Sequence, residues 1–518
     1  GLSYSQSNNE IIQRLIIHPS NPNILLAATR NGIFRTTNGG TTWALVDPDH
    51  CYDMEFNTAN PDIIYAGGNQ DILKSTDAGA TWSVLKNNLC GAGRISVETS
   101  AANSQVIYAL CESGTLSKST DGGTTWTTKA SPSGTAGFYG YYDLVLECSD
   151  ANSDYLLAGG LYVAKSTNGG TSWQVASTNS PYTAPNYVHA DNHELEFLPG
   201  STQTIYSGND GGIFKSTNLG TNWSDLSNGL SVAQTYRLST SATNPNIVYS
   251  GWQDNGSNRW NGSAYTQVYG ADGMETLVDY TNSNIVFIET QYGSIYKSTN
   301  GGTSFSFVAP SSGAWLTEYI MDPVDHNKMY AGYTSLYKST NNGSNWSVTG
   351  SNLYAGDYCT AIAVAPSNTN YIYTSSLGVM KKSTVGGGTW TDITAGLPVA
   401  SAGMNYIAVS NTDPNNVWVV FSGYSAGNKV FHSTNAGATW TNFSGSLPNL
   451  PVNTIVYENG SQNRVYVGTD IGVYYRDDNT SDWIFYNDGL PNVMVHELEI
   501  NYTSNKLVAA TYGRGIWQ

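Results

Sequence analysis

The sequence predicts an all-β fold: about twelve four-stranded blades, arranged as two tandem β-propellers, with the N-terminal strand completing the last blade. Three observations carry that expectation: a composition that favours strands and tight turns, a short phrase that recurs along the chain, and a four-strand anatomy inside each interval.

Composition comes first. Of 518 residues only 12 % are charged, with 54 Gly and 36 Tyr. The polar surface therefore comes from Ser, Thr, Asn, Gly and Tyr rather than from the Glu, Lys and Ala of helical proteins. The formal charge of −17 argues against nucleic acid, whose phosphates need Lys and Arg, and against an anionic membrane surface. No apolar run approaches the roughly 20 residues of a membrane-spanning helix. Five cysteines without a CxxC pair support neither a zinc ribbon nor a disulfide-dense scaffold. The first residues have neither a basic start nor an apolar stretch, so no signal peptide is read there.

The repeat sets the architecture. The phrase Ser/Thr-x-Asp/Asn-x-Gly-x-x-Trp/Phe ends at Trp43, Trp82, Trp126, Trp173, Trp223, Phe305, Trp346 and Trp440. A ninth copy ending at Trp390 has Val385 at the Asx position, Trp483 closes a degenerate copy, and the unit around Trp260 has none. A period of this size signals a propeller or solenoid. The first interval reads as strand 13–18, turn, strand 24–29, turn, strand 33–37, box and strand 43–46. Four short antiparallel strands make a propeller blade, here labelled A (innermost) to D. The last interval has strands 495–502, 507–511 and 515–518 and no D strand; residues 1–9 are the candidate to supply it. The expected division is a first propeller over residues 1–230 (blades 1–5) and a second over 231–518 (blades 6–12), because one ring of twelve would leave a broad axial hole. In each box the Asx side chain accepts from its own turn, Gly supplies positive φ and Trp anchors strand D. Recurrence in blade after blade marks the boxes as structural.

Function is then sought away from the boxes. A–B and C–D connections share one face, and C–D carries the boxes; D–A and B–C loops share the other. On that second face lie His189, Asp191, His193, Asn209 and Asp210 of blade 5, Gln253, Asp254 and Asn255 of blade 6, and Asp272 in the next D–A loop. They are expected in one concave ligand-binding site, together with Arg514. Alternation along an extended strand points His189, Asp191 and His193 the same way, a set suited to a divalent cation and equally to hydrogen-bonded corner residues. No motif requires a cofactor; that cation is the one candidate. Asp210 and Asp254 sit beside glycines and also read as turn caps. Tyr139, Tyr141, Tyr142, Tyr182, Tyr187, Trp252, Tyr265, Tyr292 and Trp315 fall in or near loops and suit sugar faces or interblade packing. A Cys90–Cys111 or a Cys51–Cys90 bridge fits the loop order, while Cys148 and Cys359 read as lone thiols. No GxSxG elbow, P-loop or HExxH occurs.

The boxes resemble the Asp-box (BNR) repeats of sialidases, sortilin-type propellers and glycoside hydrolase family 74 xyloglucanases. The phrases at His189–His193, Asn209–Gly212, Gln253–Gly256, Ala271–Gly273 and Tyr512–Trp517 are similar to those of secreted Asp-box proteins of Bacteroidetes-type bacteria, which commonly carry a type IX sorting domain. That resemblance implies a secreted, extracellular or cell-surface protein. In the xyloglucanases a catalytic Asp lies in an early B–C loop, in a phrase like TDxGGxY. The matching stretch here, Thr29–Phe34, has no carboxylate, whereas Asn209–Phe214 and Thr469–Tyr474 have one each. The resemblance thus offers Asp210 and Asp470 as a catalytic pair across a cleft. The arginine-bearing phrase of sialidases is absent. Three readings follow: a non-catalytic recognition or scaffold propeller for glycan or extracellular protein, without nucleic acid or membrane insertion; a xyloglucanase-like glycoside hydrolase; or an accessory domain of a larger secreted enzyme.

Overall fold

The computed structural model describes residues 11–518. It contains eleven four-stranded antiparallel sheets and one three-stranded sheet, each in plain sequence order. These are the blades of β-propellers. Blade 1 has strands Ile12–Ile17, Leu25–Thr29, Gly32–Thr36 and Ala44–Asp47, each within a residue or so of the expectation. Helix among the described residues is one short turn, Ser133–Ala136.

The chain divides into two compact units, residues 1–230 and 231–518. Unit 1 holds blades 1–5 and unit 2 holds blades 6–12. In unit 2, strand A of blade 12 (Val495–Asn501) packs against strand A of blade 6 (Thr235–Thr240), which closes a ring of seven. Leu238 of blade 6 shares a core cluster with Val508 and Ala510 of blade 12. Blade 12 has three strands, the last Gly515–Trp517; the expected contribution of residues 1–9 to it lies outside the described residues.

The core sits between blades rather than within them. Strand B is covered on both faces, so its residues are buried throughout in Ile64–Gly68, Ile107–Cys111 and Val417–Phe421. Such strands read as continuous apolar runs. Strand D is mostly exposed, as in Ser83–Lys86 and Ile484–Phe485.

The boxes build the turns that hold these blades. Asp121 Oδ1 accepts from the Thr125 N–H at 2.8 Å and from the Ser119 hydroxyl at 2.8 Å. Ser119 Oγ in turn accepts the Gly123 N–H at 2.9 Å. The same bonds recur around Asn38, Asp77, Asn168, Asn218, Asn300, Asn341 and Asn435. The box tryptophan does more than anchor its own strand. The indoles of Trp173, Trp223, Trp346, Trp390, Trp440 and Trp483 each donate to a carbonyl of the preceding blade at 2.9 Å. The bridge is Cys90–Cys111, with Cα atoms 5.7 Å apart, while Cys51, Cys148 and Cys359 are buried thiols.

Candidate functional site

Seven blades carry a bulge one residue into strand A, where the register against strand B slips. A bulge re-aims one side chain out of the ladder. The residues so placed are Gln13, Tyr52, His193, Tyr236, Asn405, Asn453 and His496. In unit 2 the last four line one cavity at the ring axis, of about 590 Å³, together with Arg237, Glu318, Asp357 and Tyr358. None of these four bulge residues was singled out from sequence. The signal was there, as an alternation break at the same strand A position in successive blades, but it is invisible without the register.

Beneath that cavity lies a buried charged layer. Arg237 pairs with Glu275 at 3.2 Å and Glu318 at 3.1 Å, and its guanidinium donates to the His496 carbonyl at 3.3 Å. Tyr406 donates to Glu497 at 3.1 Å. One guanidinium faces three buried carboxyls, so burial and mutual repulsion push Glu275 well above the carboxylate range and hold Glu497 raised as well. His496 is held down to about 4 by burial and by Arg237. Its ring is therefore neutral near pH 7, with Nε2 2.8 Å from Met494 Sδ.

Of the predicted residues of blade 6, Gln253 bonds to a residue that lines this cavity. Gln253 Oε1 accepts from the Tyr236 hydroxyl at 2.9 Å and from the Tyr512 hydroxyl. The Trp315 indole donates to the Tyr236 hydroxyl at 3.3 Å, and the ring of His496 packs on those of Tyr236 and Tyr512. Asp272 is buried; its carboxylate accepts the Asp254 N–H at 2.6 Å and the Gln291 amide. Asn255 donates to the Gln253 carbonyl at 2.9 Å. Asp272 and Asn255 thus brace the loop that presents Gln253. The Arg514 side chain is exposed, and its carbonyl accepts from Ser231 at 3.0 Å. Asp470 accepts from the cavity residue Asn453 at 3.1 Å, and burial raises its pKa.

Unit 1 holds the other group. His193 Nε2 meets Asp210 at 2.9 Å, and the Tyr142 hydroxyl donates to the second carboxylate oxygen of Asp210 at 2.8 Å. Tyr142 also packs edge-on to His193, centroids 4.7 Å apart. The bond to Asp210 raises the His193 pKa against the opposing effect of burial. Asn209 accepts the Gly211 N–H at 3.0 Å and builds the hairpin. A Cβ at Gly211 would meet His189 Cβ at 2.4 Å, so glycine lets the hairpin lie against that ring. His189 Nδ1 lies 3.1 Å from the Ala190 carbonyl, and Asp191 takes a left-handed φ of 61°. The raised carboxyl here belongs to Asp143, which sequence did not mark: fully buried, it is pushed up to about 6 by burial, although the Tyr139 N–H bond opposes this.

One expectation changes. His189, Asp191 and His193 do not converge as ligands, since among the described residues no group of three or more His, Cys, Asp or Glu is placed to hold a metal ion. The bulge turns His193 to Asp210, and the φ of Asp191 breaks the alternation that would have aligned the three. Of the residues expected in one site, those from His189 to Asp210 belong to unit 1 and those from Gln253 to Asp272 to unit 2. Asp210 and Asp470 likewise belong to different units.

Fold and axial mouths together define a propeller protein. Among solved structures it is similar to a GH74 enzyme from Niastella koreensis, at 19 % identity, a TM-score of 0.63, and coverage of 97 % of this chain and 81 % of that one. It is also similar to an ancestral GH74 enzyme, at 14 % identity, a TM-score of 0.54, and coverage of 98 % and 91 %. At these identities the likeness is one of fold. No protein-family model matches the chain, and no curated protein matches it in sequence. No helix among the described residues is long and apolar enough to cross a membrane.

Proposed function

We propose that the protein is an extracellular recognition propeller of the Asp-box type that binds a neutral glycan in the axial cavity of its second unit. One observation carries the reading: the bulge residues Tyr236, Asn405, Asn453 and His496 converge, with Tyr358 and Asp357, on a cavity of about 590 Å³. Aromatic faces suit sugar rings, and side-chain amides and a neutral imidazole suit hydroxyls. The test is isothermal titration against a panel of neutral oligosaccharides. Asn405→Ala with Asn453→Ala should abolish binding to whichever oligosaccharide the parent chain binds, in a protein that circular dichroism shows still folded. Binding that survives the double substitution refutes the site, and absence of any binding across the panel refutes the ligand class.

A glycoside hydrolase is the second reading, favoured by the raised carboxyl of Asp470 beside a cavity residue. A glycosidase needs an acid and a second carboxylate. Reducing-end release from polysaccharides, lost in Asp470→Asn, would establish it; no release would leave the recognition reading.

A further inference from the structure

The closed ring of unit 2 shows a finished blade-to-blade junction, and among the described residues unit 1 has no such junction at either end of its run of blades. In every blade one strand A residue faces the preceding blade: Met54 packs into the cluster of blade 1, and Leu238 packs onto blade 12. From Met54 in blade 2 to Leu498 in blade 12, this position is at most 6 % exposed. In blade 1 it is Leu15, 53 % exposed, with Ile17 two residues on at 55 %.

Blade 5 is open on its other side. Its strand A begins Asn192-His193-Glu194-Leu195-Glu196, and blade 12 repeats the last four residues as His496-Glu497-Leu498-Glu499. In blade 12 both glutamates accept backbone N–H groups from the next strand A: Glu497 from Leu238 at 2.6 Å, and Glu499 from Thr240. In blade 5 Glu196 is exposed, and Glu194 reaches Arg14 at 3.6 Å; no described backbone N–H is bonded to either. The strand C lysine tells the same story. Lys165, Lys338 and Lys382 donate to a box carbonyl of the following blade at 2.6, 2.9 and 2.7 Å. The counterpart in blade 5, Lys215, lies over Tyr206 at 5.2 Å, with no such carbonyl among the described residues.

Seven blades close unit 2, so each takes about a seventh of a turn; five leave a sector two blades wide. We propose that this sector of unit 1 is a docking site for two further four-stranded blades of the same box-bearing kind. The first offers strand A N–H groups to Glu194 and Glu196 and a box carbonyl to Lys215. The second covers Leu15 and Ile17 with an apolar strand B. A second copy of this chain is the poorer fit, because an arc of five blades is too wide for a sector of two.

The test uses the 518-residue chain. Carbodiimide labelling read by mass spectrometry should modify Glu194 and Glu196 at least about tenfold faster than Glu497 and Glu499, the same tetrapeptide in a closed junction. Adding an excess of a two-blade polypeptide, with the sequence of residues 48–130, 310–399 or 400–487, should slow labelling in unit 1 for at least one pair. Leu15→Asp, a change at an exposed position, should prevent that protection. Three results overturn the proposal: Glu194 and Glu196 protected like their counterparts in a monomer, protection by self-association seen in sedimentation, or no protection from any of the three pairs.

Discussion

Ser119→Ala isolates what the box contributes. Ser119 is 1 % exposed and its hydroxyl is the hub of the turn, accepting the Gly123 N–H at 2.9 Å and donating to Asp121 at 2.8 Å. Gly123 is buried, with its φ at 93° and the Leu85 side chain against it. Removing the hydroxyl leaves that N–H without a partner in a place water does not reach. An orphaned buried donor costs about 1–3 kcal/mol, more than the net value of an average hydrogen bond. Asp121→Ala should be milder: it removes the acceptor of Thr125, whose N–H is solvent-accessible, and leaves the Ser119–Gly123 bond in place. The assay is urea denaturation followed by hydrogen exchange of the strands of unit 1, so that its transition is separated from that of unit 2. The reasoning fails if Ser119→Ala lies within a few tenths of a kcal/mol of the parent, or if Asp121→Ala is the more damaging of the two.

Three further outcomes follow from the same structure. Burial pushes the Glu499 carboxyl up to about 8, so the folded chain holds that proton more tightly than the unfolded one. Its stabilisation is full below the ordinary value of 4.5 and is lost as pH rises through about 8; Glu499→Gln should flatten that decline in unit 2, and an unchanged slope argues against the buried carboxyl as its source. In unit 1 the bond to Asp210 raises His193, a stabilisation present below 6.5 and lost as pH rises through the raised value; Asp210→Asn should lower the His193 pKa in an NMR titration, and no shift would show the contact is not made. Opening the Cys90–Cys111 loop, whose ends are 21 residues apart, with Cys90→Ser and Cys111→Ser should cost about 3 kcal/mol by the chain-entropy estimate, measured by denaturation of the double variant against the parent; no loss of stability would count against the bridge.

Period and turn chemistry were legible in the sequence because they are local. Each box closes within eight residues, and Ser119, Asp121 and Gly123 bond to one another without help from elsewhere. The blade boundaries follow from that repeat, down to strands within a residue or so of those observed in blades 1 and 12. His193 and Asp210 were readable as neighbours because one hairpin joins their strands. The rest was decided in three dimensions. Only the register of strand A against strand B shows that Tyr236, Asn405, Asn453 and His496 are bulge residues, and only closure of the ring brings residues more than 250 positions apart to one cavity. Packing of the blades also chose Cys111 over Cys51 as the partner of Cys90. It also gave one tetrapeptide two fates, since Glu497 meets the N–H of Leu238 and Glu194 meets no such strand among the described residues. A side chain's local pattern sets which way it points, but what it meets depends on which distant strand the packing of blades puts in front of it.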